Sequence, residues 1–366
     1  MRVAYVVGWP GGPASGPFKK IAAQTRVWAD EGVDVGLFVI TQDEHVDAWE
    51  RLPGAVQVQS RRKGLQLAWQ KERLLKQVTG WQADVIYHRW TLAYPGLVRA
   101  ARRMPVVVEV NSDDVAEYDL LQPLKGRVNR ATRGLVLSHV AGLAFVTHEL
   151  SQAASFAGFD RPHVVIANGI TLSDVPNPPA PANKRPRLLF IGARGCPWHG
   201  TDKVVQLARQ QPGWDFDLVG PAASDMGNVP PNVTPHGMLD AVEYARLVAA
   251  ADVGIGSLAL HRNSLNEASP LKVREYLAAG LPVIAGYVDS DFPDGADFLL
   301  TLPNDEHNVR DAVEQIARFV SRWRGRRVPR DQVQHLDHVD KERARLAFLE
   351  SVRRRPISTI EGRRGR

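Results

Sequence analysis

Two glutamates stand eight positions apart in the second half of the sequence. They are Glu267 and Glu275, and Pro270 lies between them. Proline suits the first turn of a helix, so the pattern predicts Glu267 in a loop and Glu275 about one turn inside the helix that follows. Free backbone N–H groups at that helix start, near Leu271 and Lys272, would form a binding site for a diphosphate.

The chemistry that this segment could perform is the binding of a nucleoside diphosphate. Lys272 would add a positive charge at the phosphates, and Glu275 could accept hydrogen bonds from both ribose hydroxyls. The sequence Gly280-Leu281-Pro282 predicts the end of the helix before the next apolar strand. The simpler alternative is a surface helix flanked by two carboxylates.

A second candidate phosphate-binding segment is the loop at 192–200. It begins with Gly192 and follows an apolar strand. Arg194 suits a bidentate contact with phosphate, and His199 could donate a hydrogen bond. Lys203, at the start of the next helical segment, could supply a further cation. The alternative for these three side chains is a surface ion pair.

These segments must be positioned by a framework of strands and helices. Short apolar runs recur along the chain and alternate with helical segments, which is typical of parallel sheets covered on both faces. The predicted strands lie at 2–7, 34–40, 84–87, 106–110, 143–146, 163–166, 187–191, 216–219, 253–255 and 282–285. The sequence therefore predicts an α/β protein.

A proline-rich segment divides the chain. Five prolines fall between residues 174 and 186, which excludes a strand or a helix there. The predicted organisation is an N-terminal Rossmann-like domain over 1–173, this linker, a second Rossmann-like domain over 187–350, and a basic tail over 351–366. The last helix of the second domain could pack back on the first. Two such doubly wound domains place a ligand cleft at the carboxyl ends of their sheets.

The segment around the two glutamates resembles the donor-binding signature of the retaining glycosyltransferases of family 4, which have the GT-B fold. The shared pattern is Glu-x7-Glu with Ser-Pro-Leu-Lys-x-x-Glu-Tyr-x-Ala-Ala-Gly-x-Pro-Val. The resemblance implies two Rossmann-like domains facing a central cleft, with Glu275 on the ribose and Glu267 at the donor sugar. It implies that Arg194 and His199 hold the diphosphate. The family usually has its arginine one residue after the glycine, and lysine in place of His199.

The resemblance extends to the N-terminal half of the chain. Asn111 follows a predicted strand where many members have a histidine, and we expect it to contact the sugar or the acceptor. Asp113 or Asp114 could act as the base for the acceptor. Gly12, in a glycine-rich loop, would allow close approach of the backbone to the donor. The alternative for Asn111 is a turn residue after a strand.

Two Asp-x-Asp pairs match a signature of metal-dependent glycosyltransferases. Asp215 and Asp217 fall in an apparent strand, where their side chains alternate with apolar ones. Asp289 and Asp291 fall in a loop. The histidines and the single cysteine, Cys196, show no zinc-binding spacing. We therefore expect neither a metal nor another cofactor.

Basic residues exceed acidic ones, 46 to 40, and they cluster at 61–63, 322–330 and 353–355. Solvated helix faces would explain these clusters. We nevertheless expect the segment 322–330, which includes Trp323, to attach the protein to an anionic membrane surface. No nucleic-acid-binding motif accompanies the charge, so a nucleic-acid partner is not expected.

The expected activity is metal-independent transfer of a hexose from a nucleotide-sugar donor, with retention of configuration. The acceptor would be a hydroxyl of a glycan or lipid-linked molecule in bacterial polysaccharide biosynthesis. Neither a leader nor a disulfide framework is apparent, so a cytoplasmic location is expected. The alternatives are a nucleotide-sugar epimerase of the same fold and a non-catalytic sugar-binding protein. A dinucleotide oxidoreductase is disfavoured because Gly-x-Gly-x-x-Gly is absent from the glycine-rich loop.

Overall fold

The computed structural model describes residues 1–354, apart from the side chain of Asp225. The chain folds into two compact units, of which the first comprises Met1–Ala167 and the chain from His338, and the second comprises Asn168–Asp337. The predicted domain limits at 173 and 350 therefore move to 167 and 337. The predicted basic tail lies outside the described residues from position 355.

The first unit contains a seven-stranded parallel sheet in the order β3-β2-β1-β4-β5-β6-β7. Apolar side chains of the central strands are almost fully buried. The edge strand β3 was not predicted, because its Gln-rich sequence is only half-buried. The strands are β1 (Arg2–Gly8), β2 (Asp34–Thr41), β3 (Ala55–Ser60), β4 (Val85–Arg89), β5 (Val106–Val110), β6 (Gly142–Phe145) and β7 (His163–Val165).

Helices connect these parallel strands, as the right-handed βαβ arrangement requires. Ser15 caps α1 by accepting a hydrogen bond from the Phe18 N–H, and Pro17 stands in the first turn. The helices are α1 (Gly16–Asp30), α2 (Val46–Glu50), α3 (Leu65–Gly80), α4 (Pro95–Arg103), α5 (Asp114–Leu121), α6 (Pro123–Thr132), α7 (Gly134–Leu137), α8 (His148–Gln152) and α9 (Ala154–Ala157).

The second unit contains a six-stranded parallel sheet in the order β10-β9-β8-β11-β13-β15. A separate two-stranded sheet joins β12 to β14. The strands are β8 (Arg187–Ile191), β9 (Asp215–Val219), β10 (Val233–Gly237), β11 (Val253–Ile255), β12 (Glu267–Ala268), β13 (Val283–Ala285), β14 (Val288–Asp289) and β15 (Leu299–Thr301). The helices are α10 (Thr201–Gln210), α11 (Ala241–Ala250), α12 (Leu271–Ala278), α13 (Asn308–Asp311) and α14 (Val313–Trp323).

The last helix, α15 (His338–Arg353), belongs to the first unit. Its apolar side chains Leu349 and Val352 lie in the core of that unit. Glu342 accepts a 2.9 Å hydrogen bond from the indole N–H of Trp28. These contacts explain why the second unit ends at 337. Short 3-10 turns complete both units at Asp43–His45, Leu172–Asp174, Pro197–His199, Ala223–Asp225, Leu260–Asn263 and Arg330–Leu336.

The segment 322–330 differs from the predicted cationic surface. Arg322 forms an ion pair with Asp297. Three of the other four arginines bind backbone carbonyls of the same unit through their guanidinium groups: Arg324 those of Asn183 and Lys184, Arg327 those of Ala249 and Ala251, and Arg330 those of Leu172, Val175 and Ala278. These bonds hold the guanidinium groups against the second unit, and the membrane contact predicted for this segment stays a prediction. Across residues 1–354, none of the helices is both long enough and apolar enough to cross a membrane.

Candidate functional site

The predicted helix that follows Glu267 and contains Glu275 is present as α12. Pro270 precedes its first residue, and Gly280, with φ of +79°, ends it in the left-handed region that favours glycine. The prediction for Glu267 was wrong in one respect. Glu267 lies in β12, paired with Val288 of β14, whereas a loop was expected. This short pairing holds the backbone of Glu267 in place just before α12.

The start of α12 is joined directly to the end of β8. Lys272 Nζ donates a 2.8 Å hydrogen bond to the carbonyl oxygen of Ile191. The Ile191 N–H donates a 2.9 Å hydrogen bond to the hydroxyl of Tyr276. Lys272 Nζ also lies 4.8 Å from the centre of the Phe190 ring. The first turn of α12 and the loop that begins at Gly192 therefore meet at the carboxyl edge of this sheet.

Two glycines let this loop pass close to the sheet. A Cβ at Gly192 would lie 2.8 Å from the Phe190 ring and 2.9 Å from Pro221. Gly200, with φ of +75°, occupies the left-handed region immediately before α10. A side chain at Gly192 would force its neighbours apart, and one at Gly200 would strain the backbone. The loop conformation thus depends on both glycines.

His199 is a neutral hydrogen-bond donor in this site. Its Nδ1 accepts a 3.0 Å hydrogen bond from the backbone N–H of Ala193, so the ring proton is on Nε2. Burial, followed by the positive charge of Lys272, lowers the pKa of His199 to about 2. A histidine with an ordinary pKa would be partly charged at neutral pH. The structure gives an uncharged imidazole that can donate one hydrogen bond.

Lys272 is the titratable cation at the centre of the site. Burial lowers its pKa to about 7, and the nearby thiol of Cys196 opposes that shift when it is ionised. The free protein therefore holds a lysine that is only partly protonated at neutral pH. A diphosphate bound beside it would stabilise the ammonium form and raise the pKa again.

Glu275 lies one helical turn after Lys272, and the side chain of Tyr244 orients it. The Tyr244 hydroxyl, on α11, donates a 2.8 Å hydrogen bond to Glu275 Oε2. Glu275 is partly exposed. A carboxylate can accept several hydrogen bonds at once, so this bond does not exclude others from hydroxyl groups of a ligand.

The other two predicted cations have different surroundings. Arg194 is exposed in the turn between Gly192 and Cys196. Lys203 is fully buried, and its ammonium donates to Asn308 Oδ1 at 3.0 Å and to the Asp305 carbonyl. These bonds direct the Lys203 ammonium into the interior, so the structure contradicts its assignment to the diphosphate.

The sequence did not indicate the buried ion cluster that holds α12. Arg274 is fully buried and makes a bidentate contact with Asp289, at 2.7 and 2.8 Å. It also lies 2.7 Å from a carboxylate oxygen of Asp291, and its Nε donates to the Asn168 carbonyl at 2.9 Å. The second Asp-x-Asp pair is thus bound to an arginine. The sequence of α12 carries no signal for this cluster, because Arg274 stands there close to two other charged residues, Lys272 and Glu275.

The first Asp-x-Asp pair is engaged in a similar way. Asp217 is buried in β9 and accepts hydrogen bonds from Arg187 at 2.5 Å and from His236 at 2.7 Å. Asp215 lies 3.4 Å from Arg185. Within residues 1–354, no three His, Cys, Asp or Glu side chains form a group suited to hold a metal ion.

In the first unit, Asn111 lies at the carboxyl end of β5 beside a buried ion pair. Its Oδ1 accepts a 3.0 Å hydrogen bond from Lys20 Nζ, which lies 2.6 Å from Glu109. Arg89 lies 3.4 Å from the other oxygen of Glu109. Burial would raise the pKa of Glu109, but Lys20, Arg89 and Arg345 together hold it well below its usual range. Lys20 was not predicted as a site residue, because a lysine in a helical segment resembles a surface cation.

The remaining predicted residues of this unit have structural contacts. A Cβ on the buried Gly12 would lie 2.4 Å from His45 Nδ1, so glycine is required there for packing. Asp113 caps α5 by accepting from the Val115 N–H at 2.9 Å. Asp114 is buried in an ion pair with Arg133 at 2.7 Å. These contacts argue against either aspartate as a base, while donor contact at Gly12 stays a prediction.

Comparisons with known proteins add a fold and a partial family match. Residues 15–169 match the model of a glycosyl transferase 4-like domain, which spans less than half of the chain. No curated protein sequence matches significantly.

Several solved structures share the architecture over nearly the full chain. Sucrose-phosphate synthase from Thermosynechococcus elongatus has 16% identity and a TM-score of 0.66, covering 96% of each chain. Anabaena HepE in complex with UDP-glucose has 17% identity and a TM-score of 0.64, covering 96% of this chain and 100% of that one. UDP-GlcNAc 2-epimerase from Neisseria meningitidis has 12% identity and a TM-score of 0.54, with the same coverage. Together with the two parallel sheets, these likenesses show that the chain has the GT-B fold, and the family match supports a glycosyltransferase domain in its first unit.

Proposed function

We propose that this protein is a retaining, metal-independent glycosyltransferase that uses a nucleotide-diphosphate sugar as its donor. The observation that carries the proposal is the 2.8 Å hydrogen bond from Lys272 Nζ to the Ile191 carbonyl. It brings the loop after β8 and the first turn of α12 together, as a site for one diphosphate requires.

The diphosphate binds where these two segments meet. The first backbone N–H groups of α12 have no partner within the helix and carry the positive end of its dipole. Lys272 contributes an ammonium group, the Nε2–H of His199 contributes a neutral donor, and Arg194 approaches from the exposed turn. These groups stabilise the charge that develops on the leaving phosphate, which is the role that a divalent cation has in other transferases.

The nucleoside and the sugar have separate contacts. Glu275, oriented by Tyr244, accepts hydrogen bonds from the ribose hydroxyls. Glu267, held in β12, accepts from hydroxyls of the donor sugar. Within residues 1–354 we find no convincing pair of carboxylates for double displacement, so we favour attack on the face from which the phosphate departs. The departing phosphate then takes the acceptor proton.

The acceptor is a hydroxyl of a glycan or a lipid-linked molecule of the kind used for bacterial surface polysaccharides. Asn111 in the first unit is the residue that we assign to acceptor recognition. The contact of Asn111 with Lys20 orients the amide, leaving its N–H groups available to an acceptor oxygen.

The activity is tested by incubating the protein with UDP-, GDP-, ADP- and dTDP-sugars and a panel of lipid-linked and soluble glycan acceptors. UDP-glucose comes first, because HepE has been solved with it. We expect acceptor-dependent release of one nucleoside diphosphate and, by NMR, a product with the anomeric configuration of the donor. Inversion would exclude the retaining mechanism. Isomerisation of the donor without an acceptor would instead indicate an epimerase.

A further inference from the structure

One surface of the first unit combines exposed apolar side chains with unpaired positive charge. At the start of α3, the side chain of Leu65 is 83% exposed and that of Trp69 is 76% exposed. They are one helical turn apart, so they project from the same face. Of the nine tryptophans in the chain, Trp69 alone is exposed. Contiguous exposed apolar side chains often mark an interaction surface.

A run of three cations stands immediately before these two side chains. Arg61, Arg62 and Lys63 are all exposed. Their backbone is held in place, because the Arg61 N–H donates to the Thr41 carbonyl at 2.6 Å and the Arg62 N–H to Gln70 Oε1 at 3.1 Å. The charges are therefore presented from an ordered loop.

Helix α6 repeats this composition. Leu124 is 76% exposed and Val128 is 54% exposed, again one turn apart. Lys125 and Arg127 stand between them in the sequence and are also exposed. Apolar and basic side chains thus alternate along a second helix of the same unit.

The two segments lie on one side of the unit. Lys71, on α3, is close enough to both that the charges of Arg61 and Lys125, after burial, lower its pKa to about 8. Lys71 Nζ also lies 3.3 Å from Thr91 Oγ1, just after the end of β4. The combined surface, which we call the α3–α6 surface, therefore borders the carboxyl edge of the sheet, where Asn111 also lies.

These cations lack carboxylate partners among the residues that the structure describes. Ion pairs are recorded there for Arg130 and Arg99, but for none of Arg61, Arg62, Lys63, Lys125 and Arg127. The nearby carboxylates of Glu72 and Asp119 are the ones that Arg99 and Arg130 occupy. The net charge of the α3–α6 surface is therefore strongly positive.

We propose that the α3–α6 surface docks this protein on an anionic lipid bilayer. Leucine and tryptophan side chains enter the region between headgroups and acyl chains, while arginine and lysine contact lipid phosphates. The complementary charge selects an anionic bilayer over a neutral one. Docking here turns the carboxyl edge of the first sheet toward the membrane, where a lipid-linked acceptor would be found.

The test is co-sedimentation of the full chain with vesicles of phosphatidylglycerol and phosphatidylcholine, compared with phosphatidylcholine alone. We expect binding to the anionic vesicles at low salt and its loss at about 0.5 M salt. The variant Arg61→Gln/Arg62→Gln/Lys63→Gln should bind about a hundredfold more weakly. The variant Leu65→Ser/Trp69→Ser should also lose binding although its charge is unchanged. Brominated lipids should quench the tryptophan fluorescence of the wild type more than that of Trp69→Phe, because Trp69 is the side chain that enters the bilayer.

The matched control removes three exposed arginines of the second unit, as Arg246→Gln/Arg318→Gln/Arg326→Gln, and should bind vesicles like the wild type. Circular dichroism should show every variant folded, because the substituted side chains are exposed. An equal loss in the control would overturn the assignment to the α3–α6 surface. Membrane docking would be overturned if the wild type did not bind vesicles, or if it bound neutral and anionic vesicles equally. It would also be overturned if the wild type did not bind vesicles but formed a dimer that Leu65→Ser/Trp69→Ser dissociates. None of these measurements depends on transferase activity.

Discussion

Lys272 Nζ donates a 2.8 Å hydrogen bond to the carbonyl oxygen of Ile191, the last residue of β8. The bond joins the two segments that contribute groups to the proposed diphosphate site. It also places a lysine where burial lowers the ammonium pKa to about 7. The protonated lysine therefore destabilises the free protein, whereas an anionic ligand bound beside it would stabilise the ammonium form.

Replacing Lys272 with methionine should stabilise the free protein and weaken the binding of nucleoside diphosphate. The unfolded lysine binds a proton up to about pH 10.5, whereas the folded one loses it near pH 7, so folding releases a proton between these values. The buried lysine therefore lowers the free energy of unfolding by its full amount below pH 7, and this loss disappears as the pH rises to about 10. We expect Lys272→Met to be more stable than the wild type at pH 6, by up to several kcal/mol, and to lose most of this advantage by pH 10.

The same variant should bind the diphosphate at least about tenfold more weakly, because one charge-assisted hydrogen bond is lost. Lys203→Met is the matched control. It should lose stability, because Asn308 and the Asp305 carbonyl lose their partner, but should keep its nucleotide affinity. Denaturant unfolding and isothermal titration measure both quantities. The reverse pattern in the two variants would show that Lys203 is the phosphate ligand.

Glu275→Gln should weaken the binding of a nucleoside diphosphate without weakening that of inorganic pyrophosphate, because the carboxylate contacts the ribose. Tyr244→Phe removes only the donor that orients Glu275, so its effect should have the same direction and be smaller. Both side chains are partly exposed, and we expect the free energy of unfolding to change by less than about 1 kcal/mol. Equal losses for both ligands would move Glu275 from the ribose to the phosphates.

Activity should survive EDTA, because Asp289 and Asp291 are bound to the buried Arg274. Asp289→Asn should destabilise the second unit by about 3–5 kcal/mol, since it leaves a buried guanidinium partly uncompensated. Denaturant unfolding measures this loss. Turnover that stops on chelation and returns with Mn²⁺ or Mg²⁺ would contradict the metal-independent mechanism.

Breaking the buried ion pair between Lys20 and Glu109 should lower the free energy of unfolding of the first unit. Glu109→Gln leaves Lys20 buried without its counter-charge, and a loss of about 3–5 kcal/mol is expected. The double variant Lys20→Met/Glu109→Gln should recover part of that loss, because neither charge then stays buried. A double-mutant cycle measures the coupling, and additive losses would show that the two side chains do not interact.

The sequence predicted those features that depend on local patterns. Apolar runs located ten strands, and Pro270 and Gly280 located the start and end of α12. Strands β3, β10, β12, β14 and β15 were missed because they are short, partly polar or partly exposed.

Side-chain direction could not be predicted in the same way. Lys203 occupies a helix start like Lys272, yet its ammonium points to Asn308, a partner more than 100 positions away. Three of the five arginines of 322–330 bind carbonyls from distant segments. Neither outcome leaves a signal in the neighbouring sequence, because both depend on which segments the fold brings together.

A thermal-shift panel of UDP, GDP, ADP and dTDP tests the central claim most directly. A ligand present at about 100 times its Kd stabilises the folded protein by about 2.7 kcal/mol, which corresponds to about 5 °C or more for units of this size. We predict such a shift for one of the four nucleotides, without added metal, and a clearly smaller shift in both Lys272→Met and Glu275→Gln. No shift with any nucleotide at millimolar concentration, or equal shifts in the wild type and both variants, would contradict a donor site at the start of α12.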